Sequence, residues 1–252
     1  MTYWSDGRAT PRLRKIAVRR RLVRINLVAA CAFVVGGSLF ATGAFLAEQG
    51  EVLVTVNTTY LVGGFFFSLG AYASVLLVVN AAQLPPGGEP SSSDAMRWWG
   101  RRPGQRDWRG AVVLFVGTLL FAVSLIAAFA EGLTPRQSDG WIWLPDMLGC
   151  ICFLVSGHLA MLEVGGGRVA VRVHVLTWWV VAVNQLGSVL FLLAGLAAFV
   201  RPATAAEVNT GIVNWGTFAG AVCFAIGGLI QSVDRPTPTR MVEQSHEHTG
   251  PA

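Results

Sequence analysis

The sequence predicts an all-α, polytopic transmembrane helical bundle: six spans arranged as three tandem two-helix hairpins, with both termini cytoplasmic. Three observations carry this. Six apolar runs of about 20 residues or more are each long enough to cross a hydrocarbon core of about 30 Å. Only 13% of the 252 residues are charged and 53% are hydrophobic, too little polar cover for six all-round apolar helices in water. Seventeen of the nineteen basic residues fall in alternate segments between runs; Arg136 and Arg201 stand alone on the other side. That is the positive-inside pattern of a multi-pass protein in a bacterial cytoplasmic (inner) membrane. The net charge of +5 is then a basic rim facing anionic lipid headgroups rather than a nucleic-acid site.

Residues 1–24 form a basic cytoplasmic N-terminal segment, interrupted by Pro11 and amphipathic over 16–23. Its simplest role is topogenic; lying on the inner leaflet with arginines at phosphates is the other. Membrane hairpin 1 occupies 25–82, with runs at 25–47 and 58–82 and an outer loop that holds Glu48 and Glu51 and no basic residue. Residues 83–107 are a flexible cytoplasmic linker, P-P-G-G-E-P-S-S-S-D followed by a basic, aromatic stretch with Trp98, Trp99, Arg101, Arg102 and Arg106. Tryptophans beside arginines read as an interfacial anchor before they read as a partner-binding loop. Hairpin 2 covers 108–163 and hairpin 3 covers 170–233, with short outer loops at 131–140 and 201–210. A polar cytoplasmic tail, 234–252, ends the chain; His246 and His248 lie too loosely in it to suggest a metal site. Cys31, Cys150, Cys152 and Cys223 all fall inside apolar runs without C-x-x-C spacing and read as small packing residues.

One figure recurs in every run: glycine, phenylalanine four residues on, a small residue seven on. It reads Gly36, Phe40, Gly43; Gly63, Phe67, Gly70; Gly117, Phe121, Ser124; Gly149, Phe153, Ser156; Gly187, Phe191, Ala194; and Gly220, Phe224, Gly227. These spacings put the three residues on one helix face. Helices in lipid gain little by burying more apolar surface, so close backbone approach and tight packing must hold them. Each glycine is expected to open a groove that the partner helix's phenylalanine fills. Aligned without gaps, the even-numbered runs also place Asn57, Trp143 and Asn214 six residues before the glycine, and Tyr60, Asp146 and Thr217 three before it. A polar or aromatic belt therefore recurs at the outer mouth of all three hairpins. Like-oriented internal repeats relate by an axis along the membrane normal, as a threefold bundle or as a row.

G-x-x-L-F in a first helix and G-x-x-x-F-x-x-G in a second resembles the YrhK-like domain of small bacterial membrane proteins. Residues 36–40 (G-G-S-L-F) and 63–70 (G-G-F-F-F-S-L-G) carry the resemblance, with 187–191 and 220–228 next. The middle hairpin departs most, at Ser156 and Asp146. The resemblance implies an integral membrane protein and transfers no catalytic residue.

Polar groups at membrane depth are the candidate functional positions: Asn57, Asp146, His158, Asn184, Gln185 and Asn214. Asp146, just after Pro145, reads either as functional or as a headgroup-facing helix cap. Asn184 and Gln185 read as amides that hydrogen-bond a neighbouring helix before they read as substrate contacts. His158 reads as interfacial. No nucleophile–base set, metal motif, phosphate loop or paired carboxylate appears, so no enzyme and no cofactor is expected. A packed, non-enzymatic scaffold or envelope-associated bundle is the first reading, and a small-solute transporter or channel between the hairpins is the alternative. Convergence of the polar set on one cavity would favour transport.

Overall fold

The computed structural model describes residues 11–84 and 95–234. Six helices long and apolar enough to cross a membrane make up most of it, as expected of a multi-pass helical bundle. Helix α1 runs Pro11–Glu48 and α2 Leu53–Ala81; α3 is Arg106–Ala127. The fourth span begins with the short α4, Pro135–Ser138, passes through a π-helical turn at Asp139–Trp143, and continues as α5, Leu144–Val164. Helix α6 is Leu176–Ala197 and α7 is Thr210–Val233.

Each spanning helix packs on its neighbours in chain order, α1 on α2, α2 on α3, α3 on α5, α5 on α6 and α6 on α7, and α7 returns to α1. The three hairpins thus close into a ring rather than a row. Mutual approach of small residues explains why the seams are tight. Within hairpin 1, a Cβ on Gly36 would lie 2.8 Å from the Phe67 ring, and one on Gly63 would lie 2.8 Å from the Phe40 ring. Hairpin 2 repeats the exchange, Gly117 against Phe153 at 2.9 Å and Gly149 against Phe121 at 2.5 Å; hairpin 3 does the same with Gly187 against Phe224 and Gly220 against Phe191. Between hairpins a second set of small positions works: a Cβ on Gly37 would meet the Ala221 carbonyl at 2.8 Å, and the Cys150 thiol reaches the Phe191 carbonyl at 3.4 Å.

Two expectations change. The basic segment 1–24 is not separate from the first span where it is described: from Pro11 it belongs to one 38-residue helix, about 57 Å long at 1.5 Å per residue. Val18 and Leu22 on it are buried against Leu84, while Leu13 and Ile16 are exposed. The fourth span starts earlier than Pro145. Thr134 caps it, accepting from the Gln137 amide while the Gln137 side chain accepts from Thr134, and Pro135 sits in the first turn. Residues 85–94 of the linker and the tail with His246 and His248 lie outside the described residues. The later part of the linker is held to the bundle, with Asn80 exchanging hydrogen bonds with the Arg97 backbone at 2.8 and 3.0 Å and Trp108 donating to the Gly100 carbonyl at 2.6 Å.

Candidate functional site

The phenylalanines of the figure face the ring's axis, and there they meet. Phe67, Phe153 and Phe224, from α2, α5 and α7, form a triangle with centroid separations of 6.3, 5.4 and 5.7 Å. Phe191, from α6, lies 6.2 Å from Phe40 of α1 and 6.3 Å from Phe121 of α3. Each hairpin joins its own two rings, at 5.3 Å (Phe40 and Phe67), 5.0 Å (Phe121 and Phe153) and 5.3 Å (Phe191 and Phe224). Six rings in two layers therefore fill the axis, mostly edge-on or tilted as aromatic quadrupoles prefer. The gap left among them is about 10 Å³, lined by five of the six rings with Gly64 and Thr118, room for about one water.

A cavity lies on each side of this plug. On the acidic-loop side a cavity of about 470 Å³ has Phe40, Phe121 and Phe191 as its floor. Its walls are the positions three before the glycine on the even spans, Tyr60, Asp146 and Thr217, and two of the positions seven after it on the odd spans, Ser124 and Ala194. Its rim includes Asn57, Trp143 and Glu207. Glu207 lies on a two-residue-per-strand hairpin, β1 (Val200–Arg201) with β2 (Ala206–Glu207), which is anchored by the Val200 amide donating to Asp139 Oδ1 at 2.9 Å. Burial raises the Glu207 carboxyl above its ordinary range, and a hydrogen bond with the Thr210 side chain opposes the rise. On the arginine-rich side a cavity of about 140 Å³ is roofed by Phe153 and Phe224 and lined by Phe33, Leu114, Ser156 and Asn184.

The six polar candidates do not converge. Asn57 and Asp146 line the larger cavity, Asn184 lines the smaller, and the plug stands between them. Asn57 is also a clamp: its Nδ2 donates to the Ala128 carbonyl at 2.8 Å, tying hairpin 1 to hairpin 2. The equivalent Trp143 donates to the Gly195 carbonyl at 2.8 Å, tying hairpin 2 to hairpin 3. Asn214 donates to Glu48 Oε2 at 2.9 Å, with Trp215 on the other carboxylate oxygen at 3.2 Å, tying hairpin 3 back to hairpin 1. The belt six residues before the glycine is thus a closed set of three inter-hairpin fasteners.

Asn184 and Gln185 do not make the interhelical bonds expected of them. Their side-chain carbonyl oxygens are buried without a hydrogen-bond donor among the described residues, laid against Gly227 and Gly157 where a Cβ would collide with them. Asp146 is not a helix cap, because the helix begins earlier, at Pro135; its Oδ2 points at Gly195, 3.2 Å from where a Cβ would sit. His158 is exposed on the outside of the ring, twelve residues further along the same helix, about 18 Å away by helix rise. No proton passes directly between them. Among the described residues no group of three His, Cys, Asp or Glu gathers as metal ligands.

Sequence reasoning missed the contribution of Glu207 and of Gly195. Neither belongs to the recurring figure; the only signal was an acid in a short outer loop. At the opposite end, Arg19, Arg20 and Arg24 line a groove of about 620 Å³ with Ile16, Val23 and Leu27, beside the end of α7. Compared with models of known families, with curated proteins and with solved structures, the chain has no match.

Proposed function

We propose that the chain is a non-enzymatic packed bundle of a bacterial cytoplasmic membrane, scaffold or envelope-associated in role, with both termini cytoplasmic and a closed axis. The observation that carries this is the plug: six phenylalanines, one per span, meet where a permeation path would run. A pore for a hydrated solute needs polar or open lining along its length, and the middle of this axis has neither. The separation of Asp146 from His158, about 18 Å by helix rise, supports the non-enzymatic part of this reading. Arginines above apolar side chains in the α1–α7 groove support anionic lipid headgroups as partners, phosphate on guanidinium and acyl chain on Ile16 and Val23. The Gly–Phe figure, present in all three hairpins, supports a place beside the YrhK-like proteins.

The alternative, a small-solute transporter with its path between the hairpins, is favoured by one fact: a cavity abuts the plug on each side, so parting the rings would join them. Purified full-length protein in liposomes separates the two. The bundle reading expects a trapped small ion or fluorescent solute to be retained as in protein-free vesicles. Protein-dependent, saturable efflux would overturn it in favour of transport.

A further inference from the structure

The larger cavity is more than a gap left over from packing. Its volume of about 470 Å³ lies within the roughly 300–1,000 Å³ of small-molecule sites, and its walls are mainly apolar with a few convergent polar groups, the usual composition of such sites. Its charged lining is of one sign. Asp146 and Glu207 are the ionisable acids facing it, while Arg136 and Arg201, the basic residues at that end of the bundle, are not part of the lining.

Asp146 has no hydrogen bond and no ion pair from the described residues, although Tyr60, Cys150 and Thr217 line the same cavity. An ionised carboxylate in such a place is costly without a compensating charge. Phe40, Phe121 and Phe191 line the floor of the same cavity, with Tyr60 in the wall; aromatic faces carry negative potential and attract cations. A bare metal ion is a poor fit, since Ca²⁺ wants six to eight oxygens and no such set is gathered. An anion would meet two acids. What suits the Asp146 carboxylate over an aromatic floor, with Glu207 at the rim, is a single positive charge with an apolar shell.

We propose that this cavity is a binding site for a small monovalent organic cation of the quaternary-ammonium kind, with Asp146 as the counter-charge and the floor of the plug as its cation–π surface. The site opens at the acidic-loop end and works with the axis closed, so it goes beyond the bundle reading and does not depend on transport.

The test uses choline and its uncharged carbon isostere 3,3-dimethylbutan-1-ol, measured by equilibrium dialysis against full-length protein in a neutral maltoside detergent. Choline should bind saturably, and the neutral isostere about tenfold more weakly or worse, since charge is the only difference between them. Asp146→Asn should weaken choline by about tenfold while leaving the isostere unchanged; Glu207→Gln, at the rim, should weaken it about twofold. Should Asp146→Asn fail to fold, the ratio of the two probes on the wild-type chain decides alone. Absence of saturable choline binding, equal affinity for both probes, or wild-type choline affinity in a folded Asp146→Asn protein would each overturn the assignment.

Discussion

The two ends of the axis are built from the same figure and end differently. Toward the arginine-rich side, the positions facing inward are Phe33, Leu114 and Asn184 on the odd spans and Gly70, Ser156 and Gly227 on the even ones. Two of the large residues lie over small ones: the Phe33 ring covers Gly70 at 3.0 Å, and Asn184 lies on Gly227. With these two covers in place, about 140 Å³ is left. Toward the acidic side the small residues are Gly43, Ser124 and Ala194, and their partners are Tyr60, Asp146 and Thr217. Tyr60 covers its partner, with its ring 2.9 Å from where a Cβ of Gly43 would lie. Asp146 turns instead toward Gly195 of the next hairpin, and Thr217 is short. The result is about 470 Å³. A symmetric zip therefore leaves its two mouths free to differ, because only the middle of each helix is held by the glycine–phenylalanine exchange.

That contrast can be broken most severely at the plug. Phe224 touches Phe67, Phe153 and Phe191 and roofs the smaller cavity. Phe224→Ala should cost about 3–5 kcal/mol of stability, read from unfolding in mixed detergent, and should open a measurable solute leak in liposomes. A variant as stable and as tight as the parent would mean that the rings do not close the axis.

A smaller effect separates the tight zone from the loose one. At Gly63 a Cβ would lie 2.8 Å from Phe40 and 3.2 Å from the Gly36 carbonyl, so Gly63→Ala should destabilise by about 1–3 kcal/mol through overpacking. At Gly110 the nearest atoms are 3.6 Å away, ordinary contact, so Gly110→Ala should be neutral or stabilise by about 0.5–1 kcal/mol as the helix loses its most flexible residue. Opposite signs are the expectation, and equal losses in paired denaturation curves would contradict the close approach at mid-axis.

The smallest effect sits at the open mouth. Burial raises the Glu207 carboxyl, so the folded state holds this proton more strongly than the unfolded chain does. The stabilisation this gives is complete below the unfolded value and is lost as pH rises through the folded one. The melting midpoint of wild type relative to Glu207→Gln should therefore fall as pH rises above the ordinary glutamate value of about 4.3. A difference independent of pH would remove Glu207 from the buried rim.

Much of the fold was legible because helix length, apolarity and the placement of arginines are local or one-dimensional properties. The glycine and phenylalanine of each run were legible for a related reason: spacing on a helix fixes the face, and antiparallel neighbours fix which faces meet. The site was less legible. Asn57, Trp143 and Asn214 stood out as a belt, but their partners Ala128, Gly195 and Glu48 sit at different offsets in their own helices, so nothing in the pattern could name them as acceptors. Asn184 and Gln185 looked like interhelical fasteners by residue type, and the glycines facing them left the side-chain oxygens without a donor. Asp146 looked like a cap because of Pro145, but a capping box at Thr134 and a π-helical turn carry the helix back beyond it.

The sequence by itself determined six spans, their alternating direction and the face each presents, because length, charge bias and a 3.6-residue period act along one chain in one solvent. Only the tertiary structure decided that the hairpins close on themselves, that six rings meet at the centre, and that one mouth stays open around Asp146. Those outcomes depend on how non-neighbouring side chains share a volume, and no residue carries that information alone.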